Sequence, residues 1–463
     1  MPIKFMNTMS KTLAFLSILL IASCNSVELK DKTLLENIPA GNETIYEVNI
    51  RQYSKDGDFA SFQKHLPRLK DLGVNILWLM PIHPIGERKR KAYGDIFAEE
   101  ISDSIERAKF LGSPYAVKNY REVNPDFGTI EEFKSLVDHC HELGIKVIID
   151  WVANHTAWDN PWIENHPDWY TYKNGEITDP LNSNGESEGW TDVADLNYEK
   201  AAMRQEMINS MKFWVQECDI DGFRCDVAYS VPASFWEEAR AQLEAYKPLF
   251  MLAEAEAHNL DLYNKAFDAF YGWELHHKLN ALAKKEIQSD AIHSVVIKNR
   301  KQFSGRAFRM NFITNHDENS WNGSEYERMG NNWEKMAILT FALPGMPLIY
   351  SGQENSLNHR LKFFEKDLID WSLPEIPLYK TLCKYKNEGY FGSNEDTSYQ
   401  PLKSSDLFGF QRNLEKGKLT VLMNFGEKTM EIPTEWNQGK TLLGAPSNEI
   451  KGGAYWIGFT PHH

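Results

Sequence analysis

Strand-length apolar runs alternate with longer amphipathic runs along most of this chain, and that alternation restricts its fold more than any other feature. Thr44 to Ile50, Val74 to Met80, Ile145 to Asp150, Ile220 to Cys225, Leu249 to Ala253, Phe267 to Tyr271, Phe308 to Ile313 and Pro347 to Tyr350 read as strands. Helical periods lie between several of them: Phe59 to Leu72 ended by Gly73, Ile130 to Leu143 with Thr129 as a candidate cap, Glu199 to Gln216, Phe235 to Tyr246, and Met336 to Leu343. Repeated strand–helix units build a parallel sheet, because each helix must bury its apolar stripe against the strands. Eight such units predict a (β/α)8 TIM barrel over 41–376.

The rhythm breaks in two places. Residues 155–196 are rich in Trp, Asn, Asp, Gly and Pro and are too long for a simple connection, which predicts a short inserted lobe after strand 3. After about Pro377, Leu407 to Arg412, Leu419 to Asn424 and Thr429 to Ile432 read as short antiparallel strands. A C-terminal all-β sandwich domain is therefore expected over 377–463.

At the N-terminus, Lys4 and Lys11 precede an apolar stretch from Leu13 to Ala22, too short to span a bilayer and laid out like a secretory signal. Leu20-Ile21-Ala22-Ser23-Cys24 resembles a bacterial lipobox. The resemblance implies a lipoprotein signal peptide at 1–23, lipid on Cys24 and a tether over 24–40; an ordinary cleaved signal with an incidental cysteine is the alternative. The expected location is that of an exported bacterial lipoprotein, membrane-anchored in the periplasm or at the cell surface. Cys140, Cys218, Cys225 and Cys383 form no CxxC pattern and sit among apolar or helical neighbours, so they read as buried free thiols, although an oxidising compartment also permits a disulfide. The formal net charge of −15 argues against a nucleic-acid partner, and Arg88-Lys89-Arg90-Lys91 reads as a solvated loop.

Chemistry concentrates at the strand ends. Asp226 closes the run Asp221-Gly222-Phe223-Arg224-Cys225-Asp226, where a guanidinium two residues earlier would keep a carboxylate ionised and oriented. Glu254 follows Leu252-Ala253, Asp317 follows Asn315-His316, and the third strand ends at Asp150 before Asn154-His155. In such a barrel these ends share one rim. Two carboxyl groups flanking one bond are the machinery of glycoside cleavage, one protonating the leaving oxygen and the other attacking C1 or activating water. Aromatics at 13% suit sugar stacking as well as core filling. Taken singly, Arg224 and Asp226 also fit a buried ion pair, Asp317 a helix N-cap, and His155 a satisfied core histidine.

With these residues in view, the chain resembles the α-amylase family, glycoside hydrolase family thirteen, from Thr44 to the C-terminus. Asp150-Trp151-Val152-Ala153-Asn154-His155, Gly222-Phe223-Arg224-Cys225-Asp226, Glu254 after Met251-Leu252-Ala253, and Phe312-Ile313-Thr314-Asn315-His316-Asp317 are similar to its four signatures in order. Val193-Ala194-Asp195-Leu196-Asn197 resembles its additional motif, and Tyr115 to Tyr120 its aromatic segment. The resemblance implies retention through a covalent intermediate on Asp226, Glu254 as acid and then base, and Asp317 gripping sugar hydroxyls. It further implies that Arg224 keeps Asp226 charged, that His155 and His316 donate to hydroxyls, and that Tyr115 stacks on the ring. No cofactor is required. Asn154 and Asp195 match two common calcium positions of the family, but Tyr229 and Ser230 stand where it often has Lys-His, and Asn119 replaces a common aspartate. Calcium therefore stays open. Trp151, Trp158, Trp162, Trp169 and Trp190 are expected along the cleft or within the lobe.

The expected activity is hydrolysis of α-glucosidic bonds, α-1,4 in starch-like glucans or maltooligosaccharides. An exo-acting α-glucosidase or a transglycosylase of the same family is the alternative, and a non-catalytic glucan-binding homologue or a purely structural surface lipoprotein lies further off. The partners expected are an α-glucan, the membrane through the lipid anchor, and a polysaccharide-uptake complex.

Overall fold

The computed structural model describes residues 41–303, 307–392, 398–404, 407–445 and 448–462. The signal peptide, Cys24 and the tether lie outside the described residues.

Eight parallel strands close into a barrel in chain order: β1 (Ile45–Val48), β2 (Ile76–Leu79), β3 (Lys146–Trp151), β4 (Gly222–Cys225), β5 (Phe250–Ala253), β6 (Ala269–Tyr271), β7 (Phe308–Asn311) and β8 (Met346–Tyr350), with β8 pairing back onto β1. Side chains alternate between two faces along each strand. Ile45, Ile76, Ile148, Phe250, Leu252, Phe308, Met310, Met346 and Leu348 fill the barrel interior. Tyr46, Leu77, Ile149, Met251, Phe270 and Ile349 point outward into the core shared with the helices. The same alternation carries Glu47, Trp78, Asp150, Arg224, Asp226 and Glu254 to the inner face, toward the C-terminal rim. Gly222 opens β4 because a Cβ there would lie 1.9 Å from the Phe250 carbonyl oxygen.

The helices follow the sequence with three departures. The run from Phe59 to Leu72 is two helices, Phe59–Gln63 and Leu66–Leu72, because Pro67 lacks an N–H and belongs in a first turn. Gly73 ends the second with a left-handed φ of 100°. Between β5 and β6 there is only the 3-10 turn Leu260–Tyr263, whereas Trp273–Ala283 and Asp290–Phe303 both lie between β6 and β7. Pro377–Asn387 packs against Leu66–Leu72 and Trp333–Ala342. Elsewhere expectation and structure agree closely. Ile130–Glu142 is closed by a capping box in which Thr129 and Glu132 bond each other's backbone amides.

The lobe after β3 is held by His155–Ala157 pairing antiparallel with Val193–Asp195, and carries a small hairpin, Tyr172–Lys173 with Glu176–Ile177. The segment between β2 and Ile130–Glu142 contains a hairpin of its own, Lys91–Tyr93 with Ile96–Phe97.

The C-terminal part is an antiparallel sheet of β9 (Gln400–Pro401), β10 (Phe408–Leu414), β11 (Gly417–Met423), β12 (Lys440–Gly444) and β13 (Tyr455–Pro461), ordered β9-β10-β11-β13-β12. One face meets a second, two-stranded layer through Leu407, Leu422, Ile432, Trp436, Ile450 and Trp456. The other presents Phe408, Phe410, Leu419, Val421 and Phe459 to the main core. Two buried basic side chains fasten this junction: Arg412 Nη1 donates to the Ala342 and Phe391 carbonyls, and Lys386 Nζ to those of Gly345 and Gly392. All four cysteines outside the N-terminal segment are buried free thiols. No helix among the described residues is long and apolar enough to cross a membrane.

Candidate active site

A cleft of about 390 Å3 opens at the C-terminal rim and is lined by Tyr115, His155, Asp226, Glu254, His316 and Asp317 among others. Arg224 lies beneath it, fully buried. Its Nη1 donates to Asp150 Oδ1 at 2.8 Å and Asp226 Oδ1 at 2.9 Å, its Nε donates to the Tyr271 hydroxyl at 3.0 Å, and its Nη2 forms an ion pair with Glu254 Oε2 at 2.9 Å. The rings of Trp78, Tyr115 and Tyr271 surround the guanidinium at 5.2, 5.8 and 5.4 Å. One cation thus organises three carboxyl groups from β3, β4 and β5.

A second tie joins the two cleft acids. Val227, next after Asp226, adopts a left-handed conformation with φ 35° and ψ 47°, which a β-branched residue enters only under constraint. That turn points its N–H at Glu254 Oε2, 2.8 Å away. Oε2 therefore faces a backbone donor and a guanidinium, and a proton on Glu254 belongs on Oε1. Burial raises the Glu254 pKa; Arg224 opposes the rise and the Asp226 charge adds to it. Burial also raises Asp226, against the charge and hydrogen bond of Arg224.

On the β7 and β1 side, His316 Nδ1 bonds Glu47 Oε1 at 2.5 Å, while its Nε2 lies 2.7 Å from the Tyr115 hydroxyl and 3.4 Å from Asp317 Oδ2. Burial pulls His316 down, but the Asp317 and Glu47 charges outweigh it and bring its pKa to about 9, so it is a cation at neutral pH. Burial raises Asp317, with His316 opposing. Asp150 also accepts from Trp78 Nε1 at 3.2 Å and the Tyr115 hydroxyl at 3.1 Å. His155 Nδ1 faces Asn154 Nδ2 at 3.3 Å, and burial lowers its pKa to about 4, leaving a neutral ring at the cleft.

Every residue expected at the substrate is therefore gathered in one place. Asp317 precedes the short π-helical turn Glu318–Asn322 but its side chain caps nothing. Asn154 and Asp195 come together at the neck of the lobe, where Asp195 pairs with His155. No cluster of three or more His, Cys, Asp or Glu able to hold a metal occurs among the described residues. A hard cation takes six or more oxygens, and these two residues do not supply that set.

Other expectations need correcting. Of the five tryptophans, only Trp190 lines the cleft. Trp151 is on the outward face of β3, buried against His83, Tyr120 and Phe223, because it alternates with the inward Asp150. Trp162 and Trp169 pack edge to face inside the lobe, and Trp158 carries Lys89 Nζ 3.6 Å above its ring. The basic run is not simply solvated: Lys91 lines the cleft and donates to the Gly189 carbonyl at 2.9 Å. Sequence reasoning missed Glu47, although a glutamate between Tyr46 and Val48 in an otherwise apolar strand was a signal. It also missed three residues on the cleft wall: Trp321, in the π-helical turn Glu318–Asn322, and Phe363 and Phe364, in the loop after β8.

The sequence model described as alpha amylase, catalytic domain, matches residues 2–373. An α-amylase from Lactobacillus plantarum superimposes with a TM-score of 0.77 at 29% identity, covering 91% of this chain and 99% of that one. A noncanonic maltogenic α-amylase, AmyB, from Thermotoga neapolitana does so with a TM-score of 0.73 at 26% identity, covering 91% and 97%. The maltogenic α-amylase of Bacillus acidopullulyticus is 24% identical over 427 residues, 84% of this chain and 68% of the longer relative. The ordered strand-end motifs, the closed barrel, the acids gathered on Arg224 and the match along most of the chain lead to one conclusion: the chain belongs to the α-amylase family.

Proposed function

We propose that this chain is a retaining glycoside hydrolase that cleaves α-glucosidic bonds, α-1,4 in starch-like glucans or maltooligosaccharides. The observation that carries this reading is the double tie between Asp226 and Glu254. One guanidinium contacts both, and the amide next to Asp226 bonds Glu254. Retention needs its two carboxyl groups only about 5 Å apart, without room for a water between acid and anomeric carbon, and a shared clasp favours such closeness. Asp226 attacks C1 while Glu254 delivers the Oε1 proton to the leaving oxygen. The resulting Glu254 carboxylate then takes a proton from water, which releases the sugar from Asp226. Asp317, the cationic His316 and the neutral His155 face the hydroxyls of the ring in the cleft, and the Tyr115 ring forms its wall. No step passes through a metal.

The apolar stretch from Leu13 to Ala22, followed by Ser23-Cys24, supports an exported, lipid-anchored protein in the periplasm or at the cell surface, and a polysaccharide-uptake complex is the partner proposed for its products. Labelling with radioactive palmitate, lost in Cys24→Ala, tests the anchor. For the catalytic assignment, Asp226→Asn and Glu254→Gln are each expected to cut turnover on maltoheptaose by several orders of magnitude with the circular dichroism of the wild type retained. Near-wild-type turnover in either variant refutes it.

A further inference from the structure

One side of the cleft is crossed by a segment tied down at both ends. Residues 91–112 form a strap that runs from the lobe after β3 to the loop after β8. At one end Lys91 Nζ bonds the Gly189 carbonyl and lies 3.8 Å from Asp192 Oδ1. At the other, Phe110 forms an antiparallel bridge with Glu365, and the amides of Leu111 and Gly112 both donate to the Phe364 carbonyl, at 2.7 and 3.2 Å. Buried Arg51, just after β1, spans the joint from below, with Nη1 on the Gly112 carbonyl and Nη2 on that of Phe363. Ala92, Ala98 and Phe110 close a small core against Phe364. Gly112 makes the turn possible: its φ is +82°, and a Cβ there would lie 2.7 Å from the Arg90 side chain.

The direction of the substrate follows from the chemistry. Glu254 protonates the leaving oxygen, so the departing part of the glucan lies on its side. β5, which carries Glu254, is four strands from β1 in either direction around the ring. The strap covers the β8, β1, β2 and β3 side, directly across from it. Beyond β5 the connection to β6, residues 254–268, carries no helix but the 3-10 turn Leu260–Tyr263, and Leu260 and Tyr229 are 47% and 51% exposed. On the strap side the cleft is walled by Lys91, Phe363 and Phe364, with Trp321 packed on Phe363; on the Glu254 side it is lined by Val227, two residues from half-exposed Tyr229.

We infer that the strap makes the retained-sugar end of the cleft blind, so that the enzyme acts from non-reducing chain ends and releases a short product. This rests on the hydrolase reading above and adds to it the position of attack. The test compares p-nitrophenyl maltoheptaoside with the same compound carrying a 4,6-O-ethylidene group on its non-reducing glucose, with products separated by chromatography. The wild type is expected to hydrolyse the free-ended compound at least tenfold faster than the blocked one. Lys91→Ala and Phe364→Ala, which loosen the strap at either end, are each expected to raise the blocked-to-free rate ratio severalfold. Equal rates on the two compounds overturn the blind end while leaving the hydrolase reading intact. Discrimination that neither variant alters overturns the role of the strap. Hydrolysis of neither compound overturns the blind end and the hydrolase reading together.

Discussion

Replacing Arg224 by methionine isolates the electrostatic role of the guanidinium, because methionine has a similar length and no charge. In the wild type this cation contacts Asp150, Asp226 and Glu254 and is itself wholly buried. Removing one partner of a buried ion pair costs about 3–5 kcal/mol, since the remaining charge is left without compensation. At roughly 2 cal/mol/K per residue, the unfolding entropy of a chain of this length is about 1 kcal/mol/K, so Tm should fall by about 3–5 °C at pH 7.5. The pH dependence distinguishes this mechanism from a packing defect. Without Arg224 the three carboxyls are pushed further above their unfolded pKa values of about 4. A group with a raised folded pKa contributes stability that is present below its unfolded pKa and lost as pH rises through its folded pKa. The Tm deficit should therefore shrink toward pH 4–5, where the carboxyls take up protons. Turnover on maltoheptaose should fall by 100-fold or more at pH 7, because Asp226 loses the partner that keeps it ionised. Thermal melts of wild type and Arg224→Met at pH 4.5 and 7.5 decide the matter. An equal deficit at both values, or turnover close to wild type, refutes the account.

His316, with its pKa brought to about 9 from an ordinary 6.5, contributes stability that is complete below pH 6.5 and lost as pH rises through about 9. Glu47→Gln removes one of the two charges responsible, and denaturant melts between pH 6 and 9.5 should show a flatter alkaline decline than the wild type. Chelation with EDTA should leave Tm and turnover unchanged, since Asn154 and Asp195 belong to no cluster of three or more His, Cys, Asp or Glu able to hold a metal among the described residues; a lowered Tm would reveal a bound cation. Thr129→Ala breaks the capping box of Ile130–Glu142 and should cost about 1 kcal/mol, read as a lower urea midpoint at constant m.

The spacing of strand-length apolar runs located all eight barrel strands, even the weak Ala269–Tyr271, because a buried parallel strand is apolar on both faces. The acids could be read for a related reason: Asp226, Glu254 and Asp317 stand out where an apolar run stops. What the sequence hid was pairing across long distances. Nothing near Glu47 in the chain announces His316, 269 residues away. Phe363 carries no periodicity because its loop is shaped by the Arg51 and Asn319 bonds, and Trp321 because it sits in a π-helical turn of 5 residues, too short to show one. β12 and β13 escaped notice because Gly444, Gly458 and Pro461 read as turn residues, whereas the sheet accepts them at edges and close approaches. Trp151 misled for the opposite reason: composition said that rings were present, but only the strand register says which way it faces.

The two buried basic side chains at the junction of barrel and C-terminal sheet bear on how the protein can be dissected. Arg412 reaches from β10 to the last carbonyls of Trp333–Ala342, and Lys386 reaches from Pro377–Asn387 to the loop that launches β8. A cut anywhere between 388 and 400 would strand carbonyls that water cannot reach and uncover the ring-laden side of the sheet. The two parts should thus melt in a single transition, and a shortened gene ending after the last barrel helix should yield insoluble protein rather than a minimal catalyst.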